Sequence, residues 1–98
     1  SVYAVSVIGE VQVFYRESGE QRWSNKTMLY RGVSAPVVFP GAVAVGDEDG
    51  YVHFLSPRTG EEMARVRLSG PIVTQAQPFS AGAIFQTSKG EVAYLSNR

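Results

Sequence analysis

Ninety-eight residues suit one small domain or a piece of a larger one, and a 44% hydrophobic fraction is enough for a packed core. Nine basic residues balance nine acidic ones without blocks of either sign, so the chain lacks the basic stripe of a nucleic-acid binder. Cysteine is absent, which excludes disulfides, zinc–thiolate sites and thiol nucleophiles.

The chain opens at Ser1-Val2-Tyr3, already inside a strand-like run over 2–8, with no basic-then-apolar leader. That abrupt start suggests a fragment. Gly9 marks a turn, and short runs of Val, Phe, Tyr and Trp predict strands over 11–15 and 21–25. The connection Lys26 to Gly32, KTMLYRG, leads to a strand expected over 34–39. Strands over 42–47, 51–55 and 61–67 follow, set apart by Pro40-Gly41, Asp49-Gly50 and Gly60. The last three are expected over 73–79, 83–87 and 91–95. No segment keeps a helical period over ten residues. The longest apolar stretch, 37–45, is interrupted by Pro40 and Gly41 and is too short to span a bilayer.

Self-comparison organises these strands. Gly9, Gly50 and Gly90 recur 41 and 40 residues apart, and Val11, Val52 and Val92 follow them by two. Gly19 and Gly60 are 41 apart and each precedes a Glu. Four short strands per repeat of about forty residues is the pattern of a β-propeller blade. The expected fold is therefore all-β, a propeller fragment of about two and a half four-stranded antiparallel blades. Residues 1–33 supply the outer three strands of one blade with a connecting loop, 34–68 a complete blade, and 69–98 the inner three strands of a final blade.

The pattern S-A-P-V-V-x-x-G-x-V-A-V-G-D-x-D-G-Y-V-H-F, from Ser34 to Phe54, resembles a repeat of the pyrroloquinoline-quinone type. So does Gly19-Glu20-Gln21-Arg22-Trp23, a G-x-x-x-W blade ending whose Trp docks on the neighbouring blade; Ala64 stands where the middle repeat would carry that Trp. With "VGDEDGYVHF", "EEMARVRL" and the ending "GEVAYLSNR", the chain is similar to the C-terminal blades of the BamB family. That resemblance implies an eight-bladed lipoprotein on the periplasmic face of the outer membrane, held by an N-terminal lipid that this sequence does not contain. It implies a non-catalytic scaffold of the β-barrel assembly (BAM) machinery that binds a POTRA domain of BamA and supports insertion of outer-membrane proteins. Unfolded outer-membrane proteins are a further implied partner. A quinone-dependent dehydrogenase shares the repeat and is the alternative, as is another propeller interaction module. Such an enzyme needs calcium ligands and a catalytic Asp that cannot be pointed to here.

The residues themselves offer little chemistry. Asp47-Glu48-Asp49-Gly50 lacks the twelve-residue ligand spacing of an EF-hand, and Asp-Gly between strands is a hairpin signal. It is read as a turn, with positive φ expected at Gly50 and Gly90 and little effect expected from Asp47→Ala. His53, the only histidine, is read as a satisfied packing or rim residue that projects with Tyr51 and Leu55. Trp23, Phe14, Tyr3 and Tyr15 are read as core between blades, and Glu17, Glu20, Glu61 and Glu62 as solvated charge beside arginines. No catalytic, cofactor-binding or metal-ligating residue is assigned, and no cofactor is expected.

One loop stands out. Met28, Leu29 and Tyr30 beside Arg31 form an apolar stretch in what should be a surface connection, and aromatic and Arg anchors are enriched in interfaces. Met28, Tyr30 and Arg31 are the candidate partner-binding residues, against a reading in which the loop folds onto its blade. Open strand edges at both ends are expected to make this chain self-associate.

Overall fold

The computed structural model describes residues 2–72 and 76–96, which form three antiparallel sheets with no helix among them. Strands β1 (Val2–Val5), β2 (Val11–Phe14) and β3 (Gln21–Asn25) lie side by side in that order. A four-stranded sheet follows, in the order β4 (Val37–Phe39), β5 (Ala42–Gly46), β6 (Tyr51–Leu55) and β7 (Glu62–Arg67). The third contains β8 (Gln77–Phe79), β9 (Gly82–Gln86) and β10 (Val92–Ser96), again as neighbours in chain order. All the strands expected from the sequence are present, although the first three residues of the one expected over 73–79 lie outside the described residues.

Two boundaries moved for reasons in the hydrogen bonding. The first strand stops at Val5 because Ser6 opens a turn, its Oγ accepting from Glu10 N at 3.0 Å. The run at 34–39 becomes a strand only from Val37, since Pro36 has no N–H to give a ladder. Ser34 is tied to the end of β5 instead: its N–H reaches Gly46 O at 2.8 Å and its Oγ accepts from Gly46 N at 3.0 Å.

The two central strands of the middle sheet, β5 and β6, are buried on both faces, while the edge strand β7 is largely exposed. All five residues of β5 are buried, and alternation sends their side chains to opposite sides. Ala42 and Ala44, with Val52 and Phe54 of β6, pack against Ile72, Ala76, Ala83 and Phe85. Val43, Val45 and Leu55 pack the other way, against Val11, Val13, Trp23 and Met28. Burial of each Val, Leu or Phe contributes about 1.5–3 kcal/mol, so these two clusters dominate the stability of the stack. The second and third sheets also approach through their first strands, where β4 lies against β8 and β9.

The turns repeat as faithfully as the strands. Ser6, Asp47 and Thr87 each occupy the first position of a four-residue turn that ends in glycine. Gly9, Gly50 and Gly90 donate back to their carbonyls at 3.0, 3.2 and 3.1 Å. The three side chains then accept from Glu10 N, Tyr51 N and Glu91 N at 3.0, 3.0 and 3.2 Å. The glycines take φ of +100°, +92° and +88°, as expected for Gly50 and Gly90.

The first and second sheets are joined by Trp23. It is buried, and its Nε1 donates to Pro57 O at 3.0 Å, which satisfies the indole N–H while the ring packs. Asn25 adds a second bond across the same seam, from Nδ2 to Gly60 O at 2.7 Å. Gly60, in the β6–β7 turn, has φ +79° and a bare Cα directly under the ring, where an added Cβ would collide with Trp23. Gly19 occupies the matching turn of the first sheet with φ +74°, but nothing lies within 4 Å of its missing Cβ. The pair separates backbone strain from packing. Gly19→Ala should destabilise by about 1 kcal/mol from its positive φ alone, and Gly60→Ala by about 1–3 kcal/mol more. Urea unfolding of both variants checks this, and equal losses would mean that the Trp23 contact contributes nothing.

Candidate partner-contact face and a buried charge network

Turn tips and connections meet along one edge of the stack. Tyr30 N donates to Ile8 O at 2.7 Å, on the tip of the first sheet's turn, and Glu48 N of the next tip donates to Arg31 O at 3.1 Å. The pattern recurs one repeat later, where Ile72 N reaches Asp47 O at 2.9 Å and Ser88 N reaches Pro71 O at 2.9 Å. Each connection is thus clamped between two tips by its backbone. The KTMLYRG loop is a rigid bridge.

The structure divides the three candidate residues of that loop. Met28 is buried, 1% exposed, in the cluster with Trp23 and Leu55, so it is not available to a partner. Its expected exposure is corrected: the flexible thioether fills the gap between two sheets. Leu29 is half-buried. Tyr30 is 81% exposed and holds φ of +64°, a left-handed conformation uncommon for a tyrosine. Arg31 is half-exposed and turns its guanidinium towards Asp47 Oδ2 at 3.8 Å.

Asp47 is the second correction. It is fully buried, and its carboxylate does far more than shape a turn. Oδ1 accepts from Asp49 N at 2.9 Å and Tyr51 N at 3.0 Å, while Oδ2 faces His53 Nε2 at 2.6 Å. The other ring nitrogen of His53, Nδ1, is hydrogen-bonded to Glu62 Oε1. Glu62 Oε2 accepts from Arg65 Nε and from the terminal guanidinium nitrogen at 3.1 and 2.8 Å. A line of hydrogen-bonded and ion-paired side chains therefore runs Arg31–Asp47–His53–Glu62–Arg65 across the sheet. His53 is the satisfied histidine expected, but Glu62 is not simply solvated.

A bulge makes this line possible. Pairing of β6 with β7 shifts between Phe54 and Leu55, from Phe54↔Ala64 to Leu55↔Glu62, leaving Met63 as the extra residue. In an unbroken ladder Glu62 would point to the opposite face from His53. The extra residue flips it to the same face. The first sheet has the same shift one repeat earlier, between Val13 and Phe14, where Arg22 is the extra residue. The signals in the sequence were Ser6, Asp47 and Thr87, each three residues before a repeat glycine. Their period would have singled out Asp47 as a turn acceptor; its pairing with His53 depends on the fold.

This network cannot act as a proton-transfer triad. Both nitrogens of His53 are engaged by carboxylates, so neither is free to take a proton from a nucleophile. Beside it, Glu62 and Arg65 form one wall of an open cleft of about 370 Å³ whose other wall is Asn25, Lys26 and Thr27. Its lining mixes both signs of charge. Tyr15 and Tyr51 lie outside the core as platforms for arginines, with Arg22 over the first at 5.3 Å and Arg67 over the second at 5.3 Å.

Loss of Asp47 should strand His53 and two backbone N–H groups. We expect Asp47→Ala to destabilise by about 3 kcal/mol, and Asp47→Thr, which keeps the turn as Thr87 does, by about half as much. Equal effects in urea unfolding would show that the His53 bond adds nothing. Burial raises the Glu62 carboxyl, but hydrogen bonds from His53 and Arg65 outweigh it and hold the group below its ordinary value. A depressed folded value stabilises the fold above about pH 4.5, and that stability is lost as pH falls through the folded value. Thermal unfolding of wild type should therefore fall more steeply below about pH 4.5 than that of Glu62→Gln. Parallel profiles would remove Glu62 from the acid response.

No family model matches the chain. Outer membrane protein assembly factor BamB of Bordetella pertussis is 38% identical over 94 residues, 95% of this chain and 24% of that protein. The same factor from Kangiella koreensis is 37% identical over 102 residues, covering 98% of this chain and 25% of its own length. The crystal structure of BamB from Moraxella catarrhalis superposes with a TM-score of 0.87 at 33% identity, covering 94% of this chain and 27% of that one. The chain thus spans about a quarter of the length of the curated relatives it matches. Shared sequence across nearly all its residues, together with the same arrangement of three antiparallel sheets, assigns this chain to the BamB family, as part of its β-propeller.

Proposed function

We propose that this chain is a segment of a non-catalytic scaffold in the outer-membrane β-barrel assembly machinery. In the whole protein it would sit on the periplasmic side of the outer membrane, held by a lipid anchor, and would bind the POTRA domains of BamA while supporting insertion of outer-membrane proteins. The observation that carries this reading is the match to outer membrane protein assembly factors along nearly the full chain. The fold supports it physically. A frame whose central strands are buried on both faces and whose connections bond to the turn tips holds those tips in place, which suits a surface that must present fixed contacts.

Within that reading the first sheet is the outer part of one blade, the second a whole blade over 34–68, and the third the inner part of another. The free edges of β1 and β10 are then the places where neighbouring strands of the whole propeller pair, and where copies of the isolated segment would meet. Of the loop residues, Tyr30 and Arg31 remain as contacts and Met28 becomes their support. The test uses the full-length protein and purified POTRA domains of BamA. Tyr30→Gly keeps the left-handed backbone and leaves Arg31 on Asp47, so the fold should stand while affinity falls about tenfold. Unaltered affinity would place the contact elsewhere, and no binding by the wild-type protein would overturn the scaffold reading.

A further inference from the structure

The hydrogen bonds of His53 do not balance with a single proton. Its Nε2 faces Asp47 Oδ2 at 2.6 Å, and its Nδ1 is bonded to Glu62 Oε1. An ionised carboxylate only accepts, so each of these bonds needs a hydrogen of its own. Two carboxylates and a neutral imidazole bring one hydrogen between them. The arrangement therefore holds a second proton, whichever atom carries it, and its three groups exchange protons as a unit.

Charged and titratable groups reach the ring from several elements. Asp47 comes from the turn tip and Glu62 and Arg65 from β7, while the Tyr51 ring lies 6.2 Å away on β6 itself. Arg31 approaches Asp47 Oδ2 to 3.8 Å from the first connection, and Lys26 and Glu61 line the cleft that Glu62 borders. On the other flank β5 sets Val45 opposite His53 and carries no charge.

The two ends of the line are unequal. Asp47 is fully buried, and its other oxygen is committed to Asp49 N and Tyr51 N. Turning away would leave those donors unpaired. The Glu62 side chain is 24% exposed, and its second oxygen is held by Arg65, itself half in water. Glu62 and Arg65 are free to move outward and stay paired. Burial raises the Glu62 carboxyl, but bonds and charge from His53 and Arg65 hold it below its ordinary value, so an ionised Glu62 and a charged ring support each other.

We propose that the second proton of the Asp47–His53–Glu62 line is a latch on β7. While it is bound, Glu62 is fastened to the ring and the bulge that turns it inward is held. When it leaves as pH rises, His53 keeps its hydrogen towards Asp47 and turns a bare Nδ1 lone pair to a carboxylate. Glu62 then swings out with Arg65 into the cleft beside Lys26, and the bulge at Met63 loosens. The tip at Asp47 stays in place, and with it the bonds from Ile72 N to Asp47 O and from Glu48 N to Arg31 O. The outer edge of the blade responds to pH while its frame does not. This device is independent of the scaffold reading.

The test uses the full-length protein at about pH 5.5 and about pH 8.5, either side of the range where imidazole changes charge. Amide hydrogen exchange, corrected for the intrinsic effect of pH, should show protection over 62–67 falling about tenfold at the higher pH, with 42–46 unchanged. Glu62→Gln should abolish that dependence, because a side-chain amide accepts from a protonated Nδ1 and donates to a bare one. Nitrogen NMR of ring-labelled histidine, with His53 identified by its loss in His53→Gln, should find hydrogen on both nitrogens at the lower pH and on Nε2 alone at the higher. Protection that ignores pH, loss over 42–46 and 62–67 together, or a response that survives Glu62→Gln overturns the latch. So does a ring that gives up the Nε2 hydrogen first. If His53→Gln fails to fold, the exchange comparison decides by itself.

Discussion

A central strand pair with both faces buried cannot stand alone, and the rest of this structure follows from that constraint. Every residue of β5 is buried, valines to one side and alanines to the other. Neighbouring sheets must cover both sides at once. The alternation also sets the spacing: small Ala42 and Ala44 admit Phe85 of the third sheet, while Val43 and Val45 meet Val11, Val13 and Met28 of the first. Trp23 closes the wider outer part of that first seam, and Gly60 is bare so that the ring can reach Pro57. Packing of this kind leaves no room to add a methyl group, which is why a turn glycine and a strand tryptophan 37 residues apart behave as a unit.

Polar groups are handled with the same economy. The turn needs its inward N–H groups satisfied, and a hydroxyl at Ser6 or Thr87 is enough. The middle repeat uses a carboxylate in that place. Burying a charge demands partners, and Asp47 finds them in His53 and Arg31. His53 in turn presents its second nitrogen to Glu62, whose remaining oxygen is taken by Arg65. One substitution at a turn position has thus drawn four other side chains into a line that staples the tip, β6 and β7. Such a network costs desolvation and favours one arrangement over others, so its return is in specificity of the fold as much as in stability.

The frame fixes some positions and frees others, and function belongs to the freed ones. Turn ends, strand cores and the Trp23 seam are dictated by geometry. Tip residues and the outward side of each connection are not. Most of these are charged or small, as at Glu48, Asp49, Ser88 and Lys89. Val7, Ile8 and Tyr30 are the apolar and aromatic exceptions at the first tip, which the bond from Tyr30 N to Ile8 O ties to the following connection. Rigid display of apolar side chains lowers the ordering entropy of binding, which is the physical advantage that a propeller offers a scaffold.

The sequence by itself determined the strands, their repeat, the turn glycines and the role of Trp23. All of these are local demands: a period of two along a strand, a positive φ, or a spacing between copies of one unit. The resemblance to the BamB family was legible for the same reason, since it rests on the repeat. Tertiary structure alone decided what happens between units. Met28 and Tyr30 sit two residues apart in an apolar run, yet one fills a seam and the other stands in water, because only the relative placement of two sheets says where the gap is. Glu62 joins His53 only because a one-residue bulge turns it over, and no propensity in the chain marks Met63 as the residue left out. Val7 reaches Tyr30's neighbourhood through a backbone bond across 22 residues, from Tyr30 to Ile8. Contacts of that kind depend on register and on packing between sheets, which sum over many distant residues and leave no mark in any short stretch of sequence.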